Sequence, residues 1–262
     1  MLDFSRLDRA AVVAHQSNDR FGPISEKLIR AFYRSILAPG DAAVDVGVHY
    51  GFHLFGMRDC VGDGGLVYGI EANVERYVAM LKRLSNQGIT NVHVLNIAAA
   101  NEEGFRDFFV NRTHTGRSGL AENRKAPSDE IEKITVYAAP LSSVLPKKRQ
   151  FKFMKIDIEG GEFPALLGAK SIIEASQMLV VFEGKLSLSA AKFGFPAEMV
   201  GEYTHELGYC VFDLFGNPVD SSSGAGGFGW NFVAGPGDDA GRARIARALT
   251  DAWAEALTDT AR

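Results

Sequence analysis

The run Ala43-Val44-Asp45-Val46-Gly47-Val48-His49-Tyr50-Gly51 limits what this chain can fold into more than any other segment. An apolar stretch that breaks into an acid and two glycines is how a strand ends above a nucleoside-like ligand. Ala42 to Val46 is expected as a buried strand, and the apolar Phe52-His53-Leu54-Phe55-Gly56-Met57 opens a helix. A strand, a tight turn and a helix N-terminus together offer backbone N–H groups and a partial positive charge to an anionic ligand group. Gly47 and Gly51 let the backbone approach that ligand closely. A second strand, Leu66-Val67-Tyr68-Gly69-Ile70, ends in Glu71, roughly 20 residues beyond Gly51, where a carboxylate accepts both hydroxyls of a ribose. A ligand-free glycine turn and a solvated strand-end acid are the bland alternatives for each signal alone; their coincidence favours a site. Asn73 is a weaker polar candidate beside them.

The chain has 262 residues, 46% of them hydrophobic, enough for one α/β domain with a large core, and no Pro/Ser-rich linker divides it. Residues 1–40 are expected as an N-terminal helical extension and 238–262 as a C-terminal helix. A formal net charge of −4 gives no electrostatic case for nucleic acid. The basic Lys147-Lys148-Arg149-Gln150-Phe151-Lys152 precedes an apolar strand and reads as a solvated loop. Cys60 and Cys210 stand far apart without metal-ligand spacing, which argues against zinc and a disulfide scaffold and for a reducing cytoplasm. The N-terminal stretch is charged (Asp3, Arg6, Asp8, Arg9), and no run has the length of a membrane helix, so neither secretion nor a membrane partner is expected. The pattern leaves a homo-oligomer open.

Ser25 to Leu37 is an amphipathic helix ahead of the first strand, stopping before Pro39-Gly40. Val74 to Asn86 is the next helix after Glu71. Asn91 to Ile97, Lys152 to Ile158 and Met178 to Glu183 are strands three to five, and the alternation with helices implies a doubly wound parallel sheet. Beyond Pro196 a helix to Leu207 leads to a strand Tyr209 to Leu214, a turn around Ser221 to Gly229 and a last strand Trp230 to Ala234, an antiparallel hairpin. A parallel sheet finished this way is the Rossmann-like architecture of class I S-adenosylmethionine-dependent methyltransferases, whereas nicotinamide domains continue with parallel units. The first turn also lacks the GxGxxG spacing of a pyrophosphate site, which disfavours a nicotinamide reductase. Between strands three and four, Gly104 to Val110 and Ile134 to Ala138 can pair, leaving 111–130 as a polar loop that is either a lid over the sheet edge or surface disorder.

Strand four ends in Lys155-Ile156-Asp157-Ile158-Glu159-Gly160-Gly161-Glu162, three acids within six residues. Glu162 suits a helix start, but Asp157 and Glu159 interrupt an apolar strand at the edge where such sheets bind ligands. Asp45-Val46-Gly47 with Gly51, Ile70-Glu71-Ala72-Asn73, Asn96-Ile97-Ala98-Ala99, the Lys155 to Glu162 segment, Leu167-Gly168-Ala169 and Phe182-Glu183 together resemble the FkbM-type methyltransferase family, from about Val44 to Phe232. The resemblance implies S-adenosylmethionine as cofactor, bound through Asp45, Gly47, His49, Tyr50, Gly51, Glu71, Ala72, Asn73, Asn96, Ala98 and Asp157, and O-methylation of a hydroxyl on a small molecule, natural product or sugar. The sequence departs from the family at His49, where asparagine is frequent, and at Asn73, where proline is. An aliphatic hydroxyl needs a base, for which Asp157 is the first candidate, then Glu159, with His53 and Glu183 behind. A divalent metal on Asp157 and Glu183 is conceivable in oxygen-ligand chemistry and is not favoured; a noncatalytic nucleoside-binding protein is the remaining alternative.

Overall fold

The fold is described from a computed structural model that covers residues 21–183, 193–194, 198–219 and 231–258. The expected hairpin turn Ser221 to Gly229 and Trp230 fall outside these residues. The elements in chain order are α1 (Phe21–Ile36), β1 (Ala42–Val46), α2 (Phe52–Val61), β2 (Leu66–Ile70), α3 (Val74–Asn86) and β3 (Val92–Leu95). Next come β4 (Ala98–Ala99), β5 (Gly104–Asn111), β6 (Ile131–Ala139), α4 (Leu141–Val144), β7 (Phe153–Ile156), α5 (Glu162–Gly168) and α6 (Lys170–Ser176). The chain continues with β8 (Leu179–Glu183), α7 (Glu198–Glu206), β9 (Tyr209–Asp213), β10 (Asn231–Pro236) and α8 (Asp239–Thr258).

Seven strands form one sheet in the order β3-β2-β1-β7-β8-β10-β9. The first five are mutually parallel, and β10 lies antiparallel between β8 and β9, the expected hairpin. Strand alternation sorts the core into two layers. Ala43, Phe153 and Val181 face a layer closed by α1, α2, α3 and α8, with Phe32, Met57, Leu84 and Trp253. Val44, Met154 and Val180 face a layer closed by α4, α5, α6 and α7, with Leu141, Phe163, Ile172 and Tyr203. The order reverses between β1 and β7, so their C-terminal ends diverge into a crevice there.

Strands β6 and β10 run longer than the sequence pattern, and three other boundaries differ in ways that bear on the site. Helix α1 starts a turn before Ser25. Strand β3 stops at Leu95, because the Asn96 side chain turns back to donate to the carbonyls of Glu71 and Ala72 at 2.8 and 3.1 Å. Strand β7 stops at Ile156, and the backbone then reverses through left-handed Glu159 (φ 58°) and Gly160 (φ 101°). Asp157 and Glu159 therefore stand on a turn above the sheet edge. The segment before α4 builds a second sheet, β4-β6-β5, in which β5 and β6 pair antiparallel from Gly104↔Ala138 to Asn111↔Ile131.

Gly168 joins the two sheets. A Cβ there would sit 2.0 Å from the Ala100 carbonyl oxygen and 3.0 Å from Pro140 Cα, both backbone that cannot swing aside. Gly168→Ala should therefore cost roughly 1–3 kcal/mol or more and lower Tm by several degrees. Gly64→Ala, where a Cβ meets nothing within 4 Å, should leave Tm unchanged. Equal melting temperatures in calorimetry would contradict this packing.

Candidate functional site

The crevice between the β1 and β7 ends holds a cavity of about 950 Å³ including its open mouth. Gly47, His49, Glu71, Ala72, Asn73, Ala98, Asp157, Glu159 and Glu183 all line it, which brings most of the sequence candidates together. Asp45, Tyr50, Gly51, His53 and Asn96 are not on its wall.

Glu71 closes one end. Its carboxylate is buried at 7% exposure; one oxygen accepts from His49 N at 2.7 Å and the other from Asn73 N at 2.9 Å. Those bonds tie the β2 end to the glycine turn, while each oxygen retains acceptor capacity toward the cavity. Burial raises the Glu71 pKa, and the two backbone donors partly offset this. Asn73 is first of all a helix cap, since its Oδ1 accepts from Glu75 N at 2.9 Å and Arg76 N at 3.4 Å at the start of α3. Gly47 (φ 93°) is needed by the protein before any ligand, because a Cβ would lie 1.9 Å from the Asp157 carbonyl oxygen. Tyr50 is exposed and stacks under the Arg76 guanidinium at 4.1 Å.

The other end is a buried charge cluster. Asp45 and Lys155 are directly opposed on β1 and β7 and, by alternation with Ala43 and Phe153, face the α1 layer. Lys155, 3% exposed, donates to Asp157 Oδ2 at 2.8 Å. Burial works against the Lys155 charge, but Asp157, Asp45 and Glu26 outweigh it and hold the ammonium charged. Burial likewise opposes the Asp157 charge, yet Lys155 and a hydrogen bond from Glu183 prevail and keep its carboxyl well below the usual range. Burial, with Asp157 beside it, pushes Glu183 far above that range, so it is protonated at neutral pH and donates to Asp157. Asp45 is wholly buried, neither oxygen meets a donor among the described residues, and desolvation raises its pKa against the pull of Lys155.

His53 lies outside the cavity. It is 5% exposed, its Nε2 is 2.5 Å from Glu26 Oε2, and its ring packs edge-on to Tyr33 and Phe52. That surrounding makes it a packed residue joining α2 to α1. Oxygens of Asp157, Glu159 and Glu183 lie within 4.8 Å of one another, a spacing open to a divalent ion, but Lys155 already supplies a cation at that end.

Sequence patterns missed Lys155, although a lysine inside the otherwise apolar Phe153-Met154-Lys155-Ile156 was a legible signal. They also missed Thr115, Gly116, Ser118 and Leu120, which bring the 111–130 insert onto the cavity wall, and Arg76. Glu162 is more than a helix-start acid. It is 3% exposed, its Oε1 accepts from Ile158 N at 3.1 Å and Gly160 N at 3.0 Å, and so it shapes the turn carrying Asp157 and Glu159.

Strand order, the crossover at β1 and β7 and the crevice above it define a class I S-adenosylmethionine-dependent methyltransferase fold. The Methyltransferase FkbM domain family matches residues 45–211, and the chain belongs to that family. Among solved structures it is similar to the methyltransferase FkbM from Methylobacillus flagellatus, at 14% identity and TM-score 0.45, covering 78% of this chain and 49% of that one. It thus spans about half the length of that protein. It is also similar to a SAM dependent methyltransferase from Aquifex aeolicus (16%, TM-score 0.41, 79% and 87% covered) and a SAM-dependent O-methyltransferase from Thermotoga maritima (11%, TM-score 0.45, 81% and 64%). No curated protein matches the chain.

Burial pushes the Glu162 pKa up to about 7, against the backbone N–H groups of Gly160, Ile158 and Glu162 itself that favour its charge. The folded state therefore keeps a proton that the unfolded chain releases near 4.5, so this residue's contribution is full below about pH 4.5 and is lost as pH rises to 7. Glu162→Gln should remove that loss, roughly 3 kcal/mol, from the stability-versus-pH curve over this window. Urea unfolding from pH 4 to 8 measures it; parallel curves for both proteins would contradict the assignment.

Proposed function

We propose that this protein transfers the methyl group of S-adenosylmethionine to a hydroxyl of a small molecule, natural product or sugar. The observation that carries the reading is one cavity with a ribose-type carboxylate, Glu71, at one end and a charge-compensated acidic cluster, Asp157 with Glu183 and Glu159, at the other. Bound there, S-adenosylmethionine supplies a sulfonium methyl, and its transfer to a hydroxyl oxygen leaves a neutral thioether and releases the hydroxyl proton. The residues fit this cofactor: Glu71 has acceptor capacity for ribose hydroxyls, and the ionised Asp157 suits a cationic group at the opposite end.

Asp157 is the first candidate for handling the acceptor, in a role the electrostatics narrow. A carboxylate that Lys155 holds so strongly ionised is a poor base and a good hydrogen-bond acceptor, so it orients the hydroxyl and keeps negative charge beside the cationic methyl donor. Glu183 already carries its proton and cannot take another. Glu159, on the same wall, is the residue we assign to receive the hydroxyl proton. The acceptor identity, a biosynthetic role and a cytoplasmic site of action belong to the same proposal; among the described residues no helix is long and apolar enough to cross a membrane.

Calorimetry with S-adenosylhomocysteine should give binding where NAD gives none. Glu71→Ala should weaken that binding by about one to two orders of magnitude, since a hydrogen bond to a charged group contributes roughly 1.5–3 kcal/mol. The 2′-deoxy analogue should bind wild type less well than the parent and bind Glu71→Ala equally. Asp157→Asn should reduce methylation across a hydroxyl-acceptor panel far more than it reduces affinity. Equal discrimination against the deoxy analogue by both proteins would remove Glu71 from the ribose site, and activity abolished by a chelator and restored by Mg²⁺ would favour metal assistance.

A further inference from the structure

The insert between β5 and β6 is a cassette bonded from within. Asn111, fully buried at its root, donates from Nδ2 to the Asn123 carbonyl at 3.1 Å and to Asp129 Oδ2 at 3.1 Å, and its Oδ1 accepts from His114 N at 2.7 Å. Asp129 Oδ2 also accepts from Lys125 N at 2.7 Å, and Phe109 and Gly119 exchange backbone bonds at 2.9 and 3.1 Å. Loops of this length that are ordered from within tend to be functional rather than connective.

The seam between cassette and body is thin. Its apolar part is Leu120 against Ala72 and Ala98, with no large side chain opposite. Its polar part has two points: Thr115, whose Oγ1 meets His49 Nε2 at 3.1 Å and also bonds the Tyr50 hydroxyl beside the glycine turn, and Asn123, whose Nδ2 donates to Glu159 Oε2 at 2.8 Å beside the β7 turn. Two of the body partners, His49 (φ 50°) and Glu159 (φ 58°), are non-glycine residues in the left-handed region. Such backbone is costly and collects where function fixes a side chain's direction. Here it aims two side chains at one cassette from opposite ends of the cavity. An outer bidentate ion pair, Arg112 with Glu75, ties the root of the insert to α3 and is exposed to screening by salt.

We propose that the 111–130 insert is the moving wall of the cofactor cavity, latched shut by Thr115 on His49 and Asn123 on Glu159. Thr115 and Asn123 are positioning residues. They hold Thr115, Gly116, Ser118 and Leu120 over the crevice, and the cofactor exchanges when the cassette lifts as a unit about the β5–β6 ladder. The inference rests on the reading that the cavity takes S-adenosylmethionine.

Two measurements on the full chain test it. Stopped-flow binding of S-adenosylhomocysteine should show both association and dissociation rates rising at least roughly 5- to 10-fold in Thr115→Val and again in the Thr115→Val/Asn123→Ala double variant, with little change in Kd, because each variant removes only one or two ordinary hydrogen bonds that hold the cassette down. Thr115→Ser, which keeps the hydroxyl, should keep the wild-type rates. A faster dissociation with unchanged association would mean that these residues merely touch the ligand, and would overturn the gate. Hydrogen exchange without any ligand should speed up over residues 113–123 in the double variant while the β5–β6 ladder stays protected. Unchanged exchange, or loss of the ladder as well, would overturn the moving cassette even if the protein bound no cofactor at all; failure of wild-type binding alone would instead defeat the proposed function.

Discussion

Lys155 and Asp157 sit two residues apart where β7 gives way to its turn, 2.8 Å from each other, with Asp45 across the strand pair and Glu183 alongside. Isolated carboxylates at this depth would each cost several kcal/mol, and a buried lysine without partners would lose its proton. Together they compensate, and the division is unequal. Lys155 and Asp157 stay charged while Glu183 keeps a proton. The edge of the sheet can therefore present one fixed negative charge to whatever enters the crevice. Helix α1 is part of this balance, because it roofs the layer that Asp45 and Lys155 face and brings in Glu26.

At the opposite end the same economy operates with neutral partners. Glu71 is held by the backbone N–H groups of His49 and Asn73, which ties the glycine turn, the β2 end and the start of α3 together. Under the proposed function the same carboxylate is both a structural clamp and a ligand acceptor, so that loss of either role reaches the other. The turn around Glu162 repeats the device on β7, with a buried acid receiving two backbone N–H groups.

The parallel strands, their alternation with helices and the closing hairpin were legible because buried strands leave apolar runs, and Gly47, Glu71, Asp157 and Glu159 could be picked out as residues that line the crevice because they follow such runs. His53 was not, since a histidine in an apolar helix start reads alike whether it faces a ligand or, as here, Glu26 and Tyr33. In the second sheet the β5–β6 pairing was legible, but β4 was not, because Ala98–Ala99 is only two residues long and its pairing with Ala138–Ala139 is long-range. The part of the wall supplied by Thr115, Ser118 and Leu120 carries no periodicity, so only the folded chain places it over the crevice.

A crystal structure of the protein with S-adenosylhomocysteine tests the central claim most directly. The ribose hydroxyls should lie within hydrogen-bond distance of the Glu71 carboxylate, with the sulfur directed toward Asp157 at the β7 end. Nucleoside density outside the crevice between β1 and β7, or a ribose turned away from Glu71, would contradict the account.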